Sequence, residues 1–408
     1  MKYDFTSIID RKGKDALAVD GLGKIPGFAP DLPKEGFAPI PMWIADMNFP
    51  VLPNIQKSME ERIQHPAFGY FMVPDEYYQS IINWQERRNH LTGIKKEEIG
   101  YENGVLGGLM SAICAFAQPG DSILLHSPTY IGFTSTIEEG GYHIVNTELI
   151  LDKDHVWRMD YEDMDRKLKQ YKIHVAVFCN PHNPTGRVWE KEELEKAMEI
   201  YKRNDCIVIS DEIWSDILLN GNQYTPLLSV NEDARNRTIA LYAPSKTFNL
   251  AGLIGSYHII CNKYLRDRVE TSGRRSHYNS MNVLSMHALI GAYNPDGEQW
   301  VDELCQTLSK NINYAYDHIM KNYKGIRLSK PQGTYMLFLD CRQWCEENKK
   351  EIGWLLKEGW KVGVEWQDGR KFHGEYSIRI NTALPFSKIE EAFRRLDQYV
   401  FHVSDKAH

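Results

Sequence analysis

From Ile99 onward this chain keeps a rhythm that few folds accommodate. Short, nearly continuous β-type apolar runs at 122–126, 142–147, 173–179, 206–210, 238–242 and 255–261 alternate with helical patterns, notably at 161–171 and 191–203. Strands this apolar are buried on both faces, as in a mostly parallel sheet covered by helices. Binding groups in such sheets gather at the carboxyl ends of the strands. The polar residues that stand out in this chain fall at those ends.

The rest of the chain reads differently. Residues 1–40 are rich in Gly, Pro and Lys and predict an irregular arm with a short helix near 4–11. Helices are predicted at 52–64 and 75–90. After Asn294-Pro295-Asp296-Gly297 a long helix, 298–322, leads into strand, helix and strands at 335–340, 344–357, 360–364 and 376–381, and an amphipathic helix at 387–400 closes the chain. The expected organisation is a large α/β domain over 45–293 and a smaller α+β domain made from 1–44 and 294–408. A length of 408 residues suits two or three domains.

A formal charge of −7 argues against nucleic acid or an anionic membrane surface as partner. No stretch approaches the roughly 18 apolar residues of a membrane span, and the first residues lack the apolar core of a signal peptide. Seven scattered cysteines, mostly inside apolar runs, suit reduced thiols in cytoplasm. No histidine pair has ligand spacing, so no metal is expected.

The most suggestive stretch is APSKTFNLAG at 243–252. Lys246 sits there, followed by Phe248, Leu250 and Leu253. A lysine in a partly apolar pocket loses solvation of its charged form, and its pKa falls. The neutral amine can attack a carbonyl and form a Schiff base; a solvated surface lysine is the plain alternative. Asn103-Gly104 and Gly107-Gly108 surround a predicted helix start whose free amides suit a phosphate, or merely soften the helix. Tyr130 follows a strand where its ring could stack on a flat ligand, or line a turn. Asn183 lies in a turn carrying two Asn-Pro steps, and its amide could donate to an anionic oxygen. Asp211 ends a buried strand, where an acid needs a partner such as a protonated ring nitrogen; Glu212 is expected to point away and bridge something. Arg379 in the apolar run 376–381 wants a carboxylate, which its fork binds bidentately, or an internal ion pair.

Taken in order, Asn183, Asp211, Lys246 and Arg379 resemble the fold-type I pyridoxal 5′-phosphate (PLP) enzymes of the aminotransferase class I/II family, over nearly the whole chain. WIADMNF, CNPHNPTGRVW, SDEI, APSKTFNLAGL, PQGTYM and RINTALP look like its MalY/PatB-type cystathionine β-lyase, or C–S β-lyase, subgroup. The resemblance implies a PLP-binding large domain built on a mostly parallel sheet of the seven-stranded type, with a smaller α+β domain. Lys246 would carry the cofactor and shuttle protons. Asp211 would keep the pyridine nitrogen protonated, Asn183 would bond the ring's phenolic oxygen, and Tyr130 would stack on the ring. Amides of Val105, Leu106 and Gly107 and the hydroxyl of Ser245 would hold the phosphate, with Tyr70 reaching it from a neighbouring subunit. Arg379 would bind the substrate α-carboxylate beside the backbone of Ile44 and Ala45. The site would be shared across a homodimer.

Three positions depart from the patterns of these relatives, the first two from the lyase subgroup and the third from typical aminotransferases, which favours the lyase subgroup. Trp214 stands where His is usual; indole N–H donates but neither accepts nor ionises. Asn48 replaces a common acid. Ile254, eight residues after Lys246, replaces an arginine that aminotransferases place on the phosphate. The basic segment 274–278 is either a solvated charge pair or a group facing the partner's pocket, through Arg274 or Arg275. The expected activity is a C–S β-lyase acting on an amino acid such as cystathionine or a cysteine S-conjugate and releasing thiol, pyruvate and ammonia. An aminotransferase is the first alternative and a regulatory protein-binding role the second.

Overall fold

The apolar runs become the strands of one sheet. In this computed structural model, which describes residues 1–277 and 279–403, they are β1 (Ile99–Glu102), β2 (Ser122–Ser127), β3 (His143–Leu151), β4 (Trp157–Met159), β5 (Val175–Cys179), β6 (Ile207–Asp211), β7 (Thr238–Tyr242) and β8 (Ser256–Ile259). Every residue of β5, β7 and β8 is buried, which requires cover on both faces. The sheet order is β1-β8-β7-β6-β5-β2-β3-β4. Pairs from β7 through β3 are parallel, while β8, β1 and β4 join antiparallel at the two sides. The sheet has eight strands against the expected seven-stranded type, and two of them were not read in the sequence: β1, which pairs antiparallel with β8, and the three-residue β4, which folds back on the end of β3.

Local chemistry sets the helix ends. Asp160 caps Tyr161–Tyr171 by accepting from the Asp163 amide, and Glu190 and Glu193 form a reciprocal capping box at the start of Lys191–Arg203. Helix Val105–Phe116 begins directly after Gly104 and packs on the sheet so closely that a Cβ at Gly108 would stand 2.8 Å from a Leu241 methyl. Among the described residues no helix is long and apolar enough to cross a membrane.

A second, antiparallel sheet of β9 (Met336–Asp340), β10 (Gln367–Asp368) and β11 (Ser377–Asn381) has the order β9-β11-β10. The N-terminal arm reaches it through the parallel pairing of Ile40–Pro41 with Val364–Glu365. Three local expectations fail. Residues 4–11 form no helix, because the Asp4 side chain takes the amides of Thr6 and Ser7 at 2.9 Å and Phe5 packs against Phe49 and Trp300. The single helix expected at 344–357 is two, Arg342–Asn348 and Ile352–Lys361, broken where Lys349 turns left-handed (φ 51°). The strand expected at 360–364 is mostly replaced: the second helix takes Trp360 and Lys361, a turn takes 362–363, and only Val364 is extended, in Val364–Glu365. Tyr278 and residues 404–408, at the ends of the basic segment and of the expected small domain, lie outside the described residues.

The two sheets meet where the Asn180–Arg187 loop touches the Pro331-Gln332-Gly333 turn. Gly186 has φ 71°, and its carbonyl accepts from Gln332 and Gly333 amides at 2.8 and 2.9 Å. A Cβ there would lie 2.6 Å from the Pro331 Cβ. Gly186→Ala is therefore expected to lower the unfolding free energy by about 2–4 kcal/mol in urea titrations, through left-handed strain and overpacking.

Candidate active site

The carboxyl ends of β2, β5, β6 and β7 open onto one cavity of about 240 Å³. Ala45, Val105, Leu106, Gly107, Tyr130, Asn183, Asp211, Trp214, Ser245 and Lys246 all line it. Residues up to 201 positions apart are thus brought together by the strand ends, the start of helix Val105–Phe116 and the segment around Ala45. Lys246 lies in a four-residue helix, Pro244–Thr247, rather than in an open loop.

Lys246 donates from Nζ to the Ala45 carbonyl at 2.8 Å and lies 5.7 Å from the centre of the Trp214 ring. Burial lowers its pKa to about 8; the Arg379 cation adds to this, while Asp46 and Asp211 oppose it. Asp211 is 6% exposed, and its Oδ1 accepts from the Ile213 amide at 3.0 Å. Burial drives its pKa up to about 7 against the pull of that amide and of Lys246. An acid so poorly solvated keeps its charge when a cation sits beside it in the cavity. Glu212 faces away, accepting from Ser210 Oγ (2.7 Å), Tyr242 Oη (2.6 Å), Tyr224 Oη and the Leu227 amide.

Arg379 does not line the cavity but stands behind Asn183. It donates to Asn183 Oδ1 and to the Trp43 carbonyl, both at 3.1 Å, and to Gln367 Oε1. Its guanidinium carbon lies 4.3 Å from the centre of the Phe372 ring. All of these partners are neutral, and its buried Nε has none. Burial pulls its pKa down to about 10. With the Asn183 oxygen engaged by Arg379, the Asn183 amide NH₂ is the group left to offer to a ligand.

Helix Val105–Phe116 takes its first backbone bond from Gly108 to Gly104, so the amides of Val105, Leu106 and Gly107 have no partner in the helix. These amides, the Ser245 hydroxyl, the Tyr130 ring, the acid and the amine fit a flat aldehyde-bearing pyridine phosphate. Ile44 contributes a carbonyl held by Asn381 rather than an open ligand group. Tyr70 is fully exposed and outside the cavity. Arg274 pairs with Glu270 at 3.2 Å, and Arg275 is exposed. Ile254 lines the cavity and Asn48 accepts from Arg11. Gln367 and Phe372, which set Arg379, carried no motif in the sequence, whereas Trp43 opens the WIADMNF motif; Asn381 did have a signal, since it shares the strand face of Arg379 at i+2.

The chain belongs to the aminotransferase class I and II family, whose model matches residues 44–396. Within that family it is 32% identical over 389 residues to the cystathionine beta-lyase PatB of Bacillus subtilis (strain 168), covering 95% of this chain and 97% of that one. Cystalysin from Treponema denticola, solved with pyridoxal 5′-phosphate, superposes with a TM-score of 0.88 at 28% identity, over 98% of this chain and 99% of its own. The PLP-bound C–S lyase from Staphylococcus hominis does so with a TM-score of 0.87 at 28% identity, over 98% of each chain.

The amine offers a direct check of this electrostatic setting. In cofactor-free protein, ¹³C-methylated Lys246 is expected to titrate by NMR near pH 8, with the signal absent from Lys246→Met. A midpoint near 10.5, the ordinary lysine value, would contradict the buried setting.

Proposed function

We propose that this protein is a PLP-dependent carbon–sulfur β-lyase that cleaves cystathionine or a related cysteine S-conjugate to thiol, pyruvate and ammonia. The observation that carries the reading is a set of poorly matched charges, two lining one cavity and one standing directly behind its wall. Arg379 has only neutral partners and a spare buried donor, which suits a substrate carboxylate. Asp211 is held at about 7 by burial, which suits a cationic ring nitrogen. Lys246, lowered to about 8, is partly neutral near physiological pH and suits proton removal.

When bound, the cofactor's protonated ring supplies an electron sink for the charge left on the substrate carbon. Asp211 would keep the proton on the ring nitrogen. Tyr130 would cover the ring, and Asn183 would donate to its phenolic oxygen. The amides of Val105, Leu106 and Gly107 with Ser245 would hold the phosphate. Arg379 would grip the α-carboxylate through its fork, turning the Cα–H bond toward Lys246, which takes the proton. Departure of the β-thiolate then needs no further acid from the chain. Trp214 forms part of the cavity wall, with its ring edge-on to Tyr335 at 4.7 Å.

The same reading takes 45–293 as the large domain, with 1–44 and 294–408 as the small one. It takes the working form as a cytoplasmic homodimer in which Tyr70 of a second copy completes the phosphate site. The exposure of Tyr70, with Phe68 and Met72 beside it, supports that arrangement.

The assay supplies cystathionine and no keto acid. Pyruvate and thiol are expected over many turnovers per site. Conversion that halts at one equivalent and resumes with added keto acid would instead mark an aminotransferase. Lys246→Ala is expected to cut turnover roughly a hundredfold or more. Arg379→Lys is expected to raise KM roughly tenfold, since an ammonium cannot reproduce the fork.

A further inference from the structure

Residues 43–48 form a strap between the two cations of the site. The Trp43 carbonyl accepts from Arg379 at 3.1 Å, and the Ala45 carbonyl accepts from Lys246 at 2.8 Å. Two asparagines pin the strap through its backbone. Asn381 donates to the carbonyls of Ile44 and Asp46 at 2.7 and 2.6 Å, and Asn249 exchanges bonds of 2.9 Å with both backbone groups of Met47.

A further restraint comes from the irregular arm. Arg11 closes its fork on Asp46, Nη1 to Oδ1 at 3.2 Å and Nη2 to Oδ2 at 2.5 Å. Its Nη1 also reaches Asn48 Oδ1 at 3.0 Å and the Met47 carbonyl at 3.4 Å. Both charged side chains are largely covered, at 16% and 17% exposure.

We infer that Arg11 is a positioning residue for the Lys246 amine, acting through Asp46: it cancels the carboxylate's field at the amine and fixes the strap that receives it. The inference rests on the function proposed above, because it takes Lys246 as the acting group. The charges facing Lys246 are Arg379 from β11, Asp46 from the strap and Asp211 from the end of β6. Tyr335, which precedes β9, faces Asp46 and Arg379, and Tyr130 faces Arg379 and Asp211. Of these, Asp46 is the acid held by a guanidinium from outside the cavity. Its pairing leaves little net charge on the strap. Asn48 fits the same logic: an amide oxygen accepts from Arg11 without adding a second negative charge that one guanidinium could not balance. Without Arg11 the Asp46 carboxylate would act on the amine alone and favour its protonated form.

The test uses holoenzyme, in which the Lys246 nitrogen is joined to the cofactor, and follows the cofactor's visible absorbance against pH as the readout of protonation at that nitrogen. Arg11→Gln is expected to raise the titration midpoint by about half a unit or more, and the acid limb of the turnover–pH profile should move with it. Arg11→Lys should restore most of the shift. Asp46→Asn, which leaves Arg11 unpaired beside the site, should move the midpoint the other way, and Arg11→Gln/Asp46→Asn should cancel the rise. If Arg11→Gln fails to fold, the downward shift in Asp46→Asn carries the test. A lower melting temperature with an unmoved midpoint, or the same rise with and without Asp46, would overturn the inference. Unsubstituted protein lacking the visible band would overturn the proposed function and this inference with it.

Discussion

Desolvation at the carboxyl edge of a buried sheet governs this molecule. Because β5, β6 and β7 are covered on both faces, whatever follows them enters a space with little water. Groups that would be unremarkable in solvent become unsettled there: an acid near 7, an amine near 8 and a guanidinium near 10. Each shift has burial as its largest cause. A ligand that brings a cation to Asp211 and a carboxylate to Arg379 relieves both at once, so the sheet prepares a demand that a particular chemistry meets.

Much of this was legible before any coordinates. Near-continuous apolar runs are hard to place outside a parallel sheet, so the architecture followed from periodicity. Strand ends then nominated Asn183, Asp211 and Lys246, and the helix start at Gly104 nominated the amides. What stayed hidden were contacts that depend on tertiary approach. Nothing near Arg11, Gln367 or Phe372 in the sequence announces a guanidinium or carboxylate partner, because Arg11 lies in an irregular arm, Gln367 in a two-residue strand and Phe372 in the single turn after it, all too short or irregular to give a periodic signal. The short helix expected at 4–11 failed for a related reason: an aspartate that bonds its own local amides and a phenylalanine drawn into the core outweigh weak helical propensity.

Family membership and the site's electrostatics support the same chemistry from independent directions. The match over 44–396 begins within the strap, while the arm that braces it lies ahead of that stretch. Trp214, whose indole donates but does not ionise, packs between Lys246 and Tyr335 as a wall. The site therefore relies for its ionisable groups on Asp211, Lys246 and Arg379, with Asp46 neutralised by the arm.

The central claim is that one desolvated amine binds the aldehyde of the cofactor. Borohydride reduction of freshly purified protein, followed by mass mapping of its peptides, addresses it directly. The account predicts a single pyridoxyl-phosphate adduct on the peptide containing Lys246. Unmodified Lys246, or an adduct on another lysine, would contradict it.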